Sequence, residues 1–256
     1  MNQFLKKTAL ALGASLVMAA AQAGTTTTIT FEPGALDSSG AAFAPLLTDQ
    51  DTLLQNGVGI VVLDNNNPLD DPSGGLTGAI VDGNAIGETC AGLICPTNNK
   101  TTFLLGNNDA VFAVLAANGT DKVSLNSLSL SFIGAGGQPL QATPAVVEIG
   151  GFKNGTYQFV RANLSSNGVT TSFASLSLAG SVLATQSFDY IYIFTYACDS
   201  SGACSSRGTD GNQFAIDDLS VTLTAAVPEP AEWALLPLGL VALAGIARRR
   251  RAAQAA

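Results

Sequence analysis

No histidine occurs among the 256 residues, and only 12% of them carry a charge. Without an imidazole there is no Ser-His-Asp or Cys-His nucleophile, no histidine-ligated zinc and no histidine proton shuttle. Basic residues are scarce as well: eleven Lys and Arg stand against nineteen Asp and Glu, for a formal net charge of −8. Nucleic-acid binding rests on neutralising phosphates, so no nucleic-acid partner is expected. The length allows one large domain or two small ones, and it suffices for a substantial core. With so few charges, however, a mean hydropathy of +0.32 is high for a soluble domain, and the excess has to lie somewhere other than the core.

It lies at the two ends. Residues 1–23 read as a secretory signal peptide: Lys6 and Lys7 precede an apolar run from Ala9 to Ala20, and Ala21-Gln22-Ala23 offers the small residues that signal peptidase requires. Cleavage is expected after Ala23. At the other end Val227-Pro228-Glu229-Pro230 precedes an apolar run from Trp233 to Ala247 and four arginines, Arg248 to Arg251. The prolines hold the backbone before them extended, which suits recognition by a processing enzyme. As a helix the apolar run would span roughly 22 Å, short of the ~30 Å hydrocarbon core. Trp233 and snorkelling arginines could extend that reach, and the arginines should stay cytoplasmic. A short membrane helix is expected here, either as a processed tail or as a permanent anchor.

Pro228-Glu229-Pro230, the following Ala231, the Trp233-Ala234-Leu235-Leu236 helix start and the closing arginines resemble the PEP-CTERM sorting signal of exported proteins of Gram-negative bacteria. The resemblance covers about 25 residues of the chain. It implies processing at residues 227–251 by exosortase, a membrane enzyme that releases its substrate or attaches it at the cell surface. It also implies an association with extracellular polysaccharide and biofilm. The same tail ends some ice-binding proteins, though the tail itself would not bind ice. The resemblance concerns where the protein goes, not what it does there.

Between the ends, residues 24–226 hold five basic and seventeen acidic residues, a net charge of −12. This stretch reads as a single all-β domain, an antiparallel β-sandwich with a jelly-roll-like arrangement. Short apolar or alternating runs are separated by Gly, Asn, Asp and Ser. Strands are expected at Thr26–Phe31, Val58–Leu63, Ala110–Ala116, Val123–Ile133, Ala145–Ile149, Tyr157–Arg161, Thr171–Leu178, Phe188–Tyr196 and Gln213–Leu223. Turns are expected at Asn56-Gly57, Asp82-Gly83, Asn118-Gly119, Asn154-Gly155, Asn167-Gly168 and Asp210-Gly211, where the residue types tolerate positive φ. No stretch shows helical periodicity with caps. Two long strands slip phase by one residue, near Asn126-Ser127 and at Asp217-Asp218, as a β-bulge or a move between sheets would require.

The four cysteines form two close pairs, Cys90 with Cys95 and Cys198 with Cys204. Export and an even count favour two local disulfides. Pairing across the two segments and a four-thiolate metal site are the alternatives, although C-x4-C and C-x5-C are not zinc-ribbon spacings.

Three groups of residues are candidates for a site. In Phe188–Tyr196 the five aromatics alternate with Asp189, Ile191, Ile193 and Thr195. Rings about 6.6 Å apart along a strand could form a flat platform for sugars through Tyr190, Tyr192 and Tyr196. The preferred alternative is a central strand whose aromatic face helps fill the core, in which case the hydroxyls need partners. Second, Glu32 near the first strand and Asp217-Asp218 in the last resemble jelly-roll carbohydrate-binding modules, which implies a structural Ca²⁺ held by hard carboxylate oxygens. A solvated acidic turn is the other reading. Gln213-Phe214-Ala215-Ile216-Asp217 also resembles the Q-F-x-x-D motif of one group of PEP-CTERM proteins. Third, Asp64–Asp71 is an oxygen-rich loop without EF-hand spacing, read as a solvated turn. Asn118, Asn154 and Asn163 begin glycosylation-like triplets, expected by chance in a bacterial chain.

The reading that accommodates these features is a non-enzymatic exported protein, structural or polysaccharide-binding. Its partners would be signal peptidase and exosortase, the membrane through the C-terminal helix, and extracellular polysaccharide. A glycoside-cleaving enzyme using Glu148 and Asp189 is the alternative from a different class. Adhesion to ice or a mineral would need a regular threonine array, of which Thr25 to Thr28 is a lone run.

Overall fold

The computed structural model describes residues 24–32, 46–64, 76–86, 90, 92–107, 109–136, 139–204 and 212–226. The signal peptide with Ala21 and Ala23, the sorting motif Val227 to Pro230 with its apolar run and arginines, and the Asp64–Asp71 loop beyond Asp64 lie outside the described residues. Among the described residues no helix is long and apolar enough to cross a membrane.

The elements in chain order are β1 (Thr25–Ile29), β2 (Leu46–Leu47), β3 (Thr52–Gln55), β4 (Val58–Leu63), β5 (Gly78–Asp82), β6 (Leu93–Ile94), β7 (Thr102–Gly106) and β8 (Val111–Ala116). They continue with β9 (Lys122–Phe132), β10 (Gly134–Ala135), β11 (Ala145–Lys153), β12 (Thr156–Leu164), β13 (Ala174–Ser177), the single turn α1 (Val182–Thr185), β14 (Tyr190–Ala197) and β15 (Phe214–Thr224). One sheet has seven strands in the order β13-β9-β15-β7-β5-β2, with β1 also paired to β15. The other has six, β12-β11-β14-β8-β4-β3, and β6 with β10 form a small ribbon. The strands pair antiparallel throughout. All-β architecture with antiparallel sheets agrees with the sequence reading.

Alternation builds the core between the two sheets. Leu125, Leu128, Leu130, Ile216, Leu219 and Val221 of the seven-stranded sheet share one buried cluster with Val147, Ile149, Ile191 and Ile193 of the six-stranded sheet. Phe112 and Phe214 meet across it with ring centroids 4.8 Å apart. The seven-stranded sheet is buried on its other face too, around β5 and β7. There Val81, Phe103, Leu105 and Ala215 lie under Cys90, Cys95, Ile86, Leu93 and Phe173. The Cys90–Cys95 disulfide closes the segment that makes this cover, and Cys198–Cys204 closes a loop after β14. Both expected local disulfides are formed.

Each of the nine expected strands is present, with ends shifted by a few residues. Phe188 is one residue left outside: it precedes β14, bridges Val123 and is fully buried in the core. Six strands have no counterpart in the sequence reading: β2, β3, β5, β6, β7 and β10. The reason is clearest for β7, whose residues Thr102 to Gly106 are all buried. A strand covered on both faces shows a continuous apolar run rather than alternation, and a five-residue run has no period to detect.

The phase slips mark a bulge in each of two paired strands. Along β15 and β9, Asp217 faces Ser129, Ser220 faces Ser127, and Val221 faces Leu125. The extra residue on β15 is followed at once by an extra residue, Asn126, on β9. The two irregularities cancel, so both strands return to their original register with their apolar residues again facing inward. Asp218 takes a positive φ of 49° at this point. Here β15 also exchanges neighbours along one edge, pairing β7 through Phe214–Ile216 and β1 through Leu219–Leu223.

Candidate functional site: the outer face of the six-stranded sheet

The aromatic row of β14 faces away from the core. Ile191 and Ile193 point inward and are fully buried, whereas Tyr190, Tyr192 and Tyr196 are half-buried on the outer face, where Phe194 is covered to 1% exposure. This corrects the preferred expectation that the aromatic face fills the core. Alternation separates two faces without saying which one is inside. Phe188, Phe112 and Phe214, all outside β14, supply rings to the same core cluster as Ile191 and Ile193.

Register extends the row into a patch. Across β11, Phe152 stands beside Tyr190, Gly150 beside Tyr192, Glu148 beside Phe194 and Val146 beside Tyr196. Across β12, Tyr157 stands beside Phe152, Phe159 beside Gly150 and Arg161 beside Glu148. Phe152 and Tyr190 stack nearly parallel with centroids 5.1 Å apart, and Tyr190 meets Tyr192 at 4.9 Å. Tyr157 and Phe159 stack at 5.9 Å and are 40% and 49% exposed, the most open rings of the patch.

The Gly150-Gly151 pair lets rings lie against both sides of β11. A Cβ at Gly150 would fall 2.1 Å from the Tyr157 hydroxyl oxygen, and one at Gly151 would fall 2.4 Å from the Phe188 ring. Tyr157 therefore lies across the outer surface at Gly150 while Phe188 packs beneath Gly151. The β11–β12 hairpin that sets this register turns at Asn154-Gly155, both at positive φ as a two-residue hairpin turn requires.

A polar centre sits inside the aromatic frame. Glu148 is 5% exposed although it lies on the outer face. Its Oε1 accepts the Tyr157 hydroxyl at 3.0 Å, and its Oε2 accepts Arg161 Nε at 2.7 Å and Nη2 at 2.6 Å. The Arg161 guanidinium carbon is 5.0 Å from the Phe159 ring centroid and 5.7 Å from that of Tyr196. A guanidinium clamped by one carboxylate and held over two rings presents its remaining N–H groups in a defined plane.

Two clefts adjoin Tyr192. One, of about 410 Å³, is lined by Leu115, Asp121, Lys122, Asp189, Tyr190 and Tyr192. The other, of about 710 Å³, is lined by Asp49, Gln50, Val61, Asp64, Val111 and Tyr192. Lys122 Nζ donates to Asp189 Oδ1, and this contact holds the Asp189 carboxyl below the usual carboxylate range. Tyr190 is pushed above the usual phenol value by burial. The two acids considered for glycoside cleavage are thus both in ion pairs: Glu148 with Arg161, Asp189 with Lys122.

Glu32 and Asp217 both reach the segment before and at the start of β7. Glu32 accepts the Thr102 backbone N–H at 3.0 Å. Asp217, 1% exposed, accepts Asn99 Nδ2 at 2.8 Å and the Thr101 hydroxyl at 3.0 Å through Oδ2, and the Asp218 N–H at 2.8 Å through Oδ1. Burial pushes its carboxyl up to about 6. These partners are hydrogen-bond donors that would compete with a cation for the carboxylate oxygens, and Asp218 is exposed on the far side of the bulge. Among the described residues no three acidic or thiol groups converge on a point where a metal ion could sit. The arrangement does not fit the Ca²⁺ site implied by the jelly-roll resemblance.

The sequence reading named Tyr190, Tyr192 and Tyr196 but missed Phe152, Tyr157, Phe159, Arg161 and the outer-face position of Glu148. The alternation Tyr157, Phe159, Arg161 within one strand was the available signal. It places two rings and a cation on one face before any tertiary contact is known. No protein-family model matches the sequence, and no curated protein matches it. Among solved structures the chain is similar to TmCBM61 in complex with beta-1,4-galactotriose, at 10% identity, over 66% of this chain and 89% of that one, with a TM-score of 0.27.

Proposed function

We propose that the protein is a non-catalytic, exported polysaccharide-binding sandwich that uses the outer face of its six-stranded sheet. The observation that carries this reading is the aromatic patch on β11, β12 and β14 around the Glu148–Arg161 pair. A sugar ring has an apolar C–H face and a rim of hydroxyls. Aromatic rings receive the first, and phenolic hydroxyls and a fixed guanidinium receive the second. Strands that pass repeatedly between the sheets, with β1 beside β15, support a jelly-roll-like arrangement. The two disulfides favour an oxidising compartment. In the same reading the chain is cleaved after Ala23 and processed by exosortase near Val227 to Pro230.

Polysaccharide from the surface of the producing cells, coupled to beads, is expected to retain the chain. A Phe159→Ala, Tyr192→Ala double variant is expected to lose retention about tenfold, equal to ~1.4 kcal/mol. Equal retention of the variant and the parent would remove the aromatic face from the reading. Mass spectrometry of protein recovered from those cells is expected to show a C-terminus near residue 227 rather than at Ala256.

A further inference from the structure

We infer that the polysaccharide bound by this face lacks acidic groups; the inference rests on the binding role proposed above and concerns the class of chain bound. It comes from the charges around the aromatic patch. The cations near it are Arg161, Lys122 and Lys153. Arg161 is clamped by Glu148, and Lys122 is bound to Asp189, whose carboxyl also feels Lys153 at the β11–β12 hairpin. Each of these positive charges thus has a carboxylate partner or neighbour within the protein.

The carboxylates outnumber the cations. Asp121 and Asp189 line one cleft beside Tyr192, and Asp49 and Asp64 line the other. A chain crossing Tyr192 from cleft to cleft would pass between these pairs of acids, on a domain whose net charge over residues 24–226 is −12. At physiological ionic strength the screening length is about 8 Å, so acids lining a cleft lie close enough to act on a chain inside it. A uronate, sulfate or phosphate group would meet like charge there, with Arg161 and Lys122 already paired and Lys153 close enough to Asp189 to feel its charge. Displacing Glu148 from Arg161 would leave a carboxylate that is 5% exposed without its counterion, an outcome far more costly than the exchange of surface partners. A chain bearing only hydroxyls, ethers and neutral substituents meets none of these costs, and its C–H faces still cover the rings.

The test separates this inference from the binding role. Surface polysaccharide of the producing cells is divided by anion exchange into neutral and acidic fractions, and each is cast into native gels through which the full chain is run. Retardation by the neutral fraction, unchanged by 0.5 M salt and reduced about tenfold in Tyr192→Ala but retained in Tyr192→Phe, is the expected result. Retardation by the acidic fraction that fades with salt overturns the inference and leaves polysaccharide binding standing. Retardation by neither fraction overturns both.

Discussion

On the six-stranded sheet the outward positions of β11, β12 and β14 carry rings, whereas on the seven-stranded sheet the corresponding positions of β1, β9, β13 and β15 carry small hydroxyls. Ser175 stands beside Ser129 and Ser177 beside Ser127; Thr26 stands beside Thr222, and Thr28 beside Ser220. Thr26 and Thr222 share a hydrogen bond of 2.8 Å, and the bulge residue Asn126 donates to Thr222 at 2.9 Å. The four threonines that look like a lone run in the sequence therefore border a wider hydroxyl surface assembled from four strands. Both faces obey the same alternation over one shared core. Water solvates hydroxyls well and apolar rings poorly, so the hydroxyl face is a stable end state while the aromatic face gains free energy when something covers it.

The comparison is broken most severely from the core that both faces share. Phe214→Ala removes a fully buried ring packed against Phe112 and is expected to cost about 3–5 kcal/mol, seen as an earlier urea transition. Both faces should be lost together; loss of one alone would show that the sheets are stabilised independently.

The next effect belongs to the border of the hydroxyl face. Asp217, with its carboxyl pushed up to about 6 from 3.8, holds a proton in the folded state at pH values where the unfolded chain has released it. Stability from this group is full below pH 3.8 and falls as pH rises through about 6. The change is expected to be at most ~3 kcal/mol. Asp217→Asn is expected to flatten that part of the stability–pH curve, measured by urea unfolding at successive pH values. An unchanged slope would mean that the carboxyl is better solvated than its surroundings imply.

The smallest effect lies on the hydroxyl face itself. Thr222→Val deletes the bonds to Thr26 and Asn126 at a partly exposed position and is expected to change stability by no more than ~1 kcal/mol. Polysaccharide retention should not change. A loss comparable to that of the aromatic variants would make the hydroxyl face a second binding surface.

How much could be read in advance depends on whether a feature is local. Asn56-Gly57 and Asn154-Gly155 form their turns because positive φ is a property of those residues. The cysteine pairs close because few residues separate them. The slips at Asn126 and Asp217-Asp218 were legible because alternation has a period of two and any extra residue shows. β5 and β7 were not legible: cover from the Cys90–Cys95 segment, a tertiary fact, makes their outer faces apolar and erases the alternation. The partners of Glu32 and Asp217 were not legible either, since only folding brings Asn99, Thr101 and Thr102 against them as donors.

The sequence by itself determined that this domain would be all-β, acidic and without imidazole chemistry, because composition and a two-residue period need no knowledge of neighbours. It also separated the aromatic from the aliphatic side of β14. Which side would meet solvent was decided only in the tertiary structure. Phe188, Phe112 and Phe214 occupy the core, and the Gly150 position leaves room for Tyr157 on the opposite surface. Burial depends on the volume that distant segments supply, and no local pattern records that volume.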